Sequence, residues 1–366
     1  MAFIAALILL VSISSISTSD EGFPFGKDYF DMDGTLIKHP FSSSVDSLSS
    51  KELWELQDEN GLSIWFGRFI YKDICVSGIC RMVKLWIFWD GAGNYLGYQL
   101  NNNEPLTKRD HVAFDPLDYY RLHEILSDTS SILKDLRYED LTDTTKETKP
   151  SVLDVDVDGY TSATNPSLSE YVIKDAVFTC YTLWHTVYGE TFTHIKEILN
   201  DRITSDYIEK LFEANNLYQA FALDKIKENF AYFDDFEPQI LELISSADKN
   251  ISQKAMSLIT KEYLSNPKNQ LKFIDLIDTS QPTTKYEIIY KLQSLGGVYD
   301  ESILLLLDKY AKGNISVGGL NHVYQLISVE ALENEKIQAK LIELSHSSDP
   351  YVANLTNSVM NKRNNP

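Results

Sequence analysis

Apolar positions follow two different periods along the chain. Between about Ser63 and Leu100 they alternate with polar ones and are rich in Ile, Val, Trp, Tyr and Phe, which predicts sheet. After Met82 to Trp89 the turn Asp90-Gly91-Ala92-Gly93-Asn94 leads into Tyr95 to Leu100, a hairpin. Trp86 and Trp89 stand three apart on one strand, so they point to opposite faces and at most one lines any common pocket. Upstream, Cys75-Val76-Ser77-Gly78-Ile79-Cys80 reads as a tighter hairpin with Ser77-Gly78 at its tip. Val76 and Ile79 then form the hydrogen-bonded pair, and Cys75 faces Cys80 where side chains approach closely, so a disulfide is geometrically allowed. Closing so small a loop stabilises by only about 2 kcal/mol. The rival reading, a redox-active dithiol, lacks a helix N-terminus to lower a thiol pKa.

Helical spacing takes over beyond Leu100. Tyr119 to Leu126 predicts a short helix with Leu122, Ile125 and Leu126 on its core face and Arg121 and Glu124 outside. Around its start, Leu106 to His111 and Phe114 to His123 mix charge, aromatics and imidazole densely enough to form a site rim. Of its histidines, His111 is the better functional candidate because it lies in a loop. From Tyr138 to Ser151 the composition is that of a surface loop, followed by a short strand with Leu153, Val155 and Val157 on one face. A helix is expected from about Leu168 to Val187, opened by the capping box Ser167-Leu168-Ser169-Glu170. Val172, Ala176, Cys180 and Trp184 fall on its buried face, which makes Cys180 an inert thiol, with His185 on the more polar side.

The later half repeats. Apolar pairs recur at Ile208 with Leu211, Leu241 with Ile244, Ile274 with Ile277, Ile303 with Leu306, and Leu341 with Leu344, at a period of roughly 29 to 38 residues. Polar breaks come after each pair at Ala214 to Asn216, Ser246 to Asp248, Thr279 to Pro282, Ala311 to Asn314 and Ser347 to Pro350, and a second amphipathic segment usually comes next. The pattern predicts stacked helix pairs and resembles degenerate HEAT-like repeats over about the last 165 residues. A stack of this kind offers a long surface to a partner; the plainer alternative is a helical cap that steadies the first domain.

Chemistry can be argued at one stretch, Asp158-Gly159-Tyr160-Thr161-Ser162-Ala163-Thr164. It resembles the flavin attachment signal Asp-x-x-(Ser/Thr)-Gly-Ala-Thr of FMN-binding domains, such as those in the C subunit of the sodium-translocating NADH:quinone reductase and the G subunit of Rnf complexes. The resemblance implies an α+β fold and FMN esterified through its phosphate to Thr164. Asp158, Thr161 and Ala163 match the pattern, and Ser162 departs from its glycine, where a Cβ costs about 1 kcal/mol if a positive φ is required. It also implies a transient partner, a flavin transferase. With a helix opening just after Pro166, the phosphate would meet unpaired amides and the positive end of a helix dipole. On the residues alone, Thr161 and Thr164 also read as ordinary turn residues with hydroxyls bonded to backbone.

Composition narrows the classes. A formal net charge of -20 opposes nucleic acid and anionic lipid as main partners. Met1 to Ser19 combines an apolar run with small residues before Asp20, as in a signal peptide, which implies an exported protein, periplasmic or extracellular, with no membrane insertion after cleavage; no Lys or Arg precedes the run, and a retained N-terminal anchor is the alternative reading. Three cysteines allow one disulfide and one free thiol. Phe30-Asp31-Met32-Asp33-Gly34-Thr35-Leu36 matches the first motif of haloacid-dehalogenase-type phosphatases, but Pro24 to Tyr29 does not read as the buried strand that motif needs, so Asp31 and Asp33 are expected in a turn. No metal site is expected in the repeats. The expected organisation is a signal peptide at 1–19, an FMN-binding-like α+β domain at 20–193 and a HEAT-like all-α domain at 194–366. Its function is then envelope electron transfer on covalent FMN, or flavin-free scaffolding with the repeats as the binding surface; the redox or scaffold partner is not specified by the residues.

Overall fold

Five strands succeed one another in chain order and pair antiparallel throughout: β1 (Thr35–Pro40), β2 (Glu52–Gln57), β3 (Ser63–Lys72), β4 (Val83–Asp90) and β5 (Tyr95–Leu100). The computed structural model describes residues 29–43, 48–74, 81–101, 104–141 and 168–361. It divides into two units, the first ending at Asp201. The expected signal peptide, the Cys75–Cys80 pair, the strand at Leu153 to Val157 and the whole Asp158 to Thr164 stretch lie outside the described residues.

One face of the sheet is covered by three helices, α1 (Pro116–Ser127), α2 (Val177–Val187) and α3 (Glu190–Asp201). Arg68 on β3 donates to Thr191 on α3, the buried Trp89 on β4 donates from Nε1 to the Val187 carbonyl, and Tyr98 on β5 donates to the Tyr119 carbonyl at 3.0 Å. α1 begins where Asp115 and Asp118 close a reciprocal capping box, and it buries Leu122, Ile125 and Leu126 as its spacing predicts.

The opposite face is aromatic. Tyr29 stacks on Phe88 with centroids 4.1 Å apart, and Phe30 stands edge-on to Trp54, Trp65, Trp86 and Phe88 at 5.0–6.0 Å. Glycines make room for these rings. A Cβ on Gly97 would sit 2.5 Å from the Tyr29 hydroxyl, and one on Gly67 would sit 2.9 Å from the Phe88 ring. As their spacing requires, Trp86 belongs to this face and Trp89 to the helix-covered one.

Two boundaries differ from expectation. α2 starts at Val177 and not at Leu168, because Asp175 adopts a left-handed φ of 62° and the Ile173 N–H donates to Cys180 Sγ; residues 168–176 form turns whose Leu168, Val172, Ile173 and Ala176 are nonetheless buried. The first unit extends past Thr193 to Asp201 because α3 packs on the β4–β5 turn, where Lys196 donates to the Ala92 carbonyl at 2.9 Å.

The second unit is all α. Its helices are α4 (Ser205–Glu213), α5 (Asn216–Glu228), α6 (Glu237–Ile244), α7 (Lys249–Leu258), the single turn α8 (Lys261–Leu264), α9 (Pro267–Asp275), α10 (Pro282–Gln293), α11 (Asp300–Ala311), α12 (Val317–Gln325), α13 (Glu335–Ser345) and α14 (Pro350–Asn361). The five apolar pairs of the sequence fall on α4, α6, α9 with the 3-10 turn after it, α11 and α13, and the five polar breaks fall at the turns into α5, α7, α10, α12 and α14. First helices contact first helices of the next pair, α9 with α11 and α11 with α13; second helices do the same, α5 with α7, α10 with α12 and α12 with α14. Caps repeat as well. Asn215, Asp248 and Ser316 each accept from an amide of the helix they open.

Lysine–carboxylate pairs tie α6, α9, α11 and α13 in series: Lys272 with Glu237 at 2.8 Å, Lys309 with Asp275 at 2.7 Å and Asp278 at 2.6 Å, and Lys340 with Asp308 at 2.8 Å. Lys309 is buried. Burial works against its charge, and the two carboxylates outweigh that and raise its pKa; bonded to Lys309, Asp278 is held below the usual carboxylate range.

Lys309→Ala should destabilise the protein by about 1–2 kcal/mol in urea unfolding, below the full value of charged hydrogen bonds because both carboxylates are partly exposed. Because the Asp278 pKa is depressed on folding, this contribution is complete above its unfolded value, about 3.9, and is lost as pH falls through the folded value. The gap between wild type and variant should therefore close in acid. Cys180 is fully buried, and burial pushes its thiol up to about 12. Maleimide at pH 8 should leave Cys180 unlabelled in native protein and modify it after denaturation, as read by peptide mass.

Candidate functional site

A buried polar cluster among the described residues of the first unit has no signature in the sequence. His39 on β1, Glu55 and Gln57 on β2, and Ser63 at the start of β3 converge because facing residues of paired strands share a face. Glu55 is wholly buried. It lies 2.6 Å from His39 Nε2 and accepts from Gln57 Nε2 at 2.8 Å and Ser63 Oγ at 2.6 Å. Hydroxyl, carboxylate and imidazole thus stand in the order Ser63, Glu55, His39. Nucleophilic activation needs the imidazole in the middle, taking the hydroxyl proton. Here the carboxylate takes that bond and Ser63 is sealed from solvent, so the cluster anchors the β1–β2–β3 pairing.

The rim expected around His111 and His123 is organised by α1. Lys108 Nζ lies 2.6 Å from Asp118, which the capping box holds, and the Arg109 N–H donates to the Asp175 carbonyl at 2.7 Å. His111 sits exposed at the tip of the 3-10 turn Arg109–His111 with φ 59°. His123 is half-buried against Tyr95, with Nδ1 3.3 Å from the hydroxyl, and burial lowers its pKa. His185 contacts the Leu133 carbonyl at 2.9 Å, and burial lowers its pKa too. The three imidazoles converge on no common point. Asp31 and Asp33 lie on the turn leading into β1, an edge strand of an antiparallel sheet, an arrangement that lacks the inner parallel strand of the phosphatase motif.

Thr164 and its neighbours Asp158, Thr161, Ser162 and Ala163 precede a segment that the structure does describe. The helix N-terminus expected just beyond Pro166 is replaced there by the turns of residues 168–176, so that helix dipole does not begin beside Thr164 in sequence.

No protein-family model, curated protein or solved structure matches this chain. Among the described residues no group of three or more His, Cys, Asp or Glu could hold a metal ion, and no helix is long and apolar enough to cross a membrane.

A row of uncharged polar side chains runs between α10 and α12, although α10 also carries Lys285, Glu287 and Lys291. Tyr286 bonds to Ser316 at 2.7 Å, the Tyr290 hydroxyl to His322 Nε2 at 3.0 Å, and Gln293 Nε2 to Gln325 Oε1 at 3.0 Å. α12 carries no Asp, Glu, Lys or Arg. Tyr290 is 48% exposed, and His322 Nδ1 has no partner. Elsewhere in this unit, a cleft of about 680 Å³ between α8 and the loop before α11 is lined by Leu264, Leu295, Val298 and Tyr299. Its polar lining is internally satisfied, since Gln270 bonds to Leu264 and Tyr299, and the Tyr299 hydroxyl to Ser265.

Removing the buried acceptor Glu55 should be costly, because the buried Ser63 hydroxyl would lose its acceptor in a dry site. Glu55→Ala is expected to lose about 3 kcal/mol in urea unfolding followed by tryptophan fluorescence, and His39→Ala, on the solvent-facing side of the pair, about 1 kcal/mol or less.

Proposed function

We propose that the protein is an interaction protein whose second unit, a stack of HEAT-like helix pairs, presents the α10–α12 face to a protein partner. The observation that carries this reading is the uncharged ladder of Tyr286, Tyr290, Gln293, Ser316, His322 and Gln325 in a chain of net charge -20. Several other neighbouring helices of the unit meet through lysine–carboxylate pairs, as Lys254 does with Asp224 between α7 and α5, while α12 and α14 share an uncharged contact, Tyr324 with Thr356. Replacing charge by phenol, imidazole and amide lowers the desolvation needed to bury a surface, and interface cores are depleted in charge and enriched in Tyr. Side chains already bonded to one another are also fixed before binding, which reduces the entropy lost on docking.

A second reading rests on the resemblance at Asp158 to Thr164: an exported electron-transfer flavoprotein with an FMN-binding-like first domain, carrying FMN on Thr164 after the action of a flavin transferase. The stretch itself lies outside the described residues, and α2, which begins at Val177, adds no helix N-terminus in support of this reading.

The two readings separate experimentally. A partner identified by cross-linking in native extract should bind the purified full chain, and Tyr290→Ala with Gln325→Glu should weaken that binding at least tenfold in biolayer interferometry with an unchanged circular dichroism spectrum. Equal affinity in the double variant would place the partner elsewhere. Co-expression with an exported flavin transferase, followed by in-gel fluorescence and the mass of the peptide spanning Thr164, tests the second; it requires a flavin mass that Thr164→Val abolishes.

A further inference from the structure

The aromatic face of the sheet is closed at one end and open at the other. At the closed end Leu56, Trp65 and Phe88 are buried beneath Tyr29 and Phe30. Toward the other end, strand register puts Glu52 and Trp54 of β2, Phe69 and Tyr71 of β3, Lys84 and Trp86 of β4, and Gln99 of β5 on the same face. Their side chains are exposed or half-buried. This half of the face takes four aromatic rings and no aliphatic side chain from β2, β3 and β4.

The chain has five tryptophans. Four indole N–H groups have acceptors: Trp54 donates to Glu52, Trp65 to the Tyr29 carbonyl, Trp89 to the Val187 carbonyl and Trp184 to the Asp128 carbonyl. Among the described residues the Trp86 indole alone donates to nothing. Its cross-strand neighbour is Gln99, whose Oε1 is buried and accepts from nothing. A spare donor and a spare acceptor therefore stand on adjacent strands beside a group of rings.

We infer that the open half of this face binds a neutral glycan chain. A sugar hydroxyl both accepts and donates, so hydroxyls of the ligand can accept from the Trp86 N–H and, once the Gln99 amide rotates out of its buried position, donate to Gln99 Oε1. The C–H face of a pyranose carries partial positive charge and stacks on the negative face of an aromatic ring, here Trp86 and Phe69. Charge selects against acidic polysaccharides. The two lysines at the site already have carboxylates, Lys38 with Glu52 at 3.1 Å and Lys84 with Glu104 at 3.2 Å, and the chain as a whole is strongly negative. An aliphatic protein surface would leave the indole N–H and the Gln99 oxygen without partners, at a cost that a hydroxylated ligand avoids.

The test uses the full chain and a panel of neutral hexasaccharides, cello-, xylo-, manno- and chitohexaose, with heparin as the acidic comparison, followed by tryptophan fluorescence and isothermal titration calorimetry. At least one neutral hexasaccharide should shift the emission and bind with sub-millimolar affinity, and heparin should not. Trp86→Ala should weaken binding at least tenfold. Trp86→Phe, which keeps a ring and removes the N–H, and Gln99→Leu should each weaken it about fivefold or more. These two milder variants decide the matter should Trp86→Ala fail to fold. Absence of binding by every neutral hexasaccharide at millimolar concentration, binding of heparin alone, or full affinity in folded Trp86→Phe and Gln99→Leu would each overturn the inference.

Discussion

Aromatic side chains, most of them buried, whose one polar atom bonds to a main-chain carbonyl hold the first unit together. Trp65 reaches Tyr29, Trp89 reaches Val187, Trp184 reaches Asp128, Tyr98 reaches Tyr119 and Tyr188 reaches Leu126, each at 2.7–3.0 Å. Such a residue contributes a large apolar area and also gives a main-chain carbonyl a donor. Geometry is specified by the same contacts. Trp89 can donate to Val187 only if the last turn of α2 lies over the middle of the sheet, and Trp184 then draws the end of α1 against α2. Between them these bonds fix the helix-covered face of the sheet and leave the other face to Tyr29, Phe30 and the open aromatic surface.

The second unit solves its packing problem differently. Its helices are short, and each pair buries an apolar face against the next, so neighbours must be held in register. Lysines of one first helix reach carboxylates of the preceding pair at Lys272–Glu237, Lys309–Asp275 and Lys340–Asp308. Within an acidic chain this places cations where they offset local repulsion between adjacent helices. Between α10 and α12 hydroxyl, imidazole and amide pairs do the same job without charge. The stack is thus continuous in structure while the contacts between its helices change in character, and the proposed interaction face rests on that change.

Catalysis finds no assembled centre among the described residues. The one buried carboxylate with a serine and a histidine beside it has them in the wrong order for proton transfer, and the remaining imidazoles are dispersed. The described residues do present two surfaces with distinct chemistry, hydrogen-bonding side chains on paired helices and aromatic rings with an unpaired donor and acceptor on a sheet.

Much of this fold is legible in the sequence. The spacing of Leu122, Ile125 and Leu126 specifies the buried side of α1, the alternation through β3, β4 and β5 specifies sheet, and the five apolar pairs with their polar breaks mark all five helix pairs. These are local periodicities, and a local period survives whatever it packs against. Strands β1 and β2 carry no such signal, because their buried face includes Glu55, partnered by Ser63 and His39 from other strands, so that polarity no longer reports burial. The start of α2 departs from its spacing for a similar reason. Val172 and Ala176 are buried at helical spacing, yet Asp175 turns the backbone left-handed where the Arg109 amide reaches its carbonyl, and only the fold brings that amide there. The open aromatic face belongs to the same class. Sequence determined that Trp86 and Trp89 point to opposite sides of a strand; tertiary structure decided which of them finds a carbonyl, because Val187 lies 98 residues from Trp89 and no local pattern carries information across that separation.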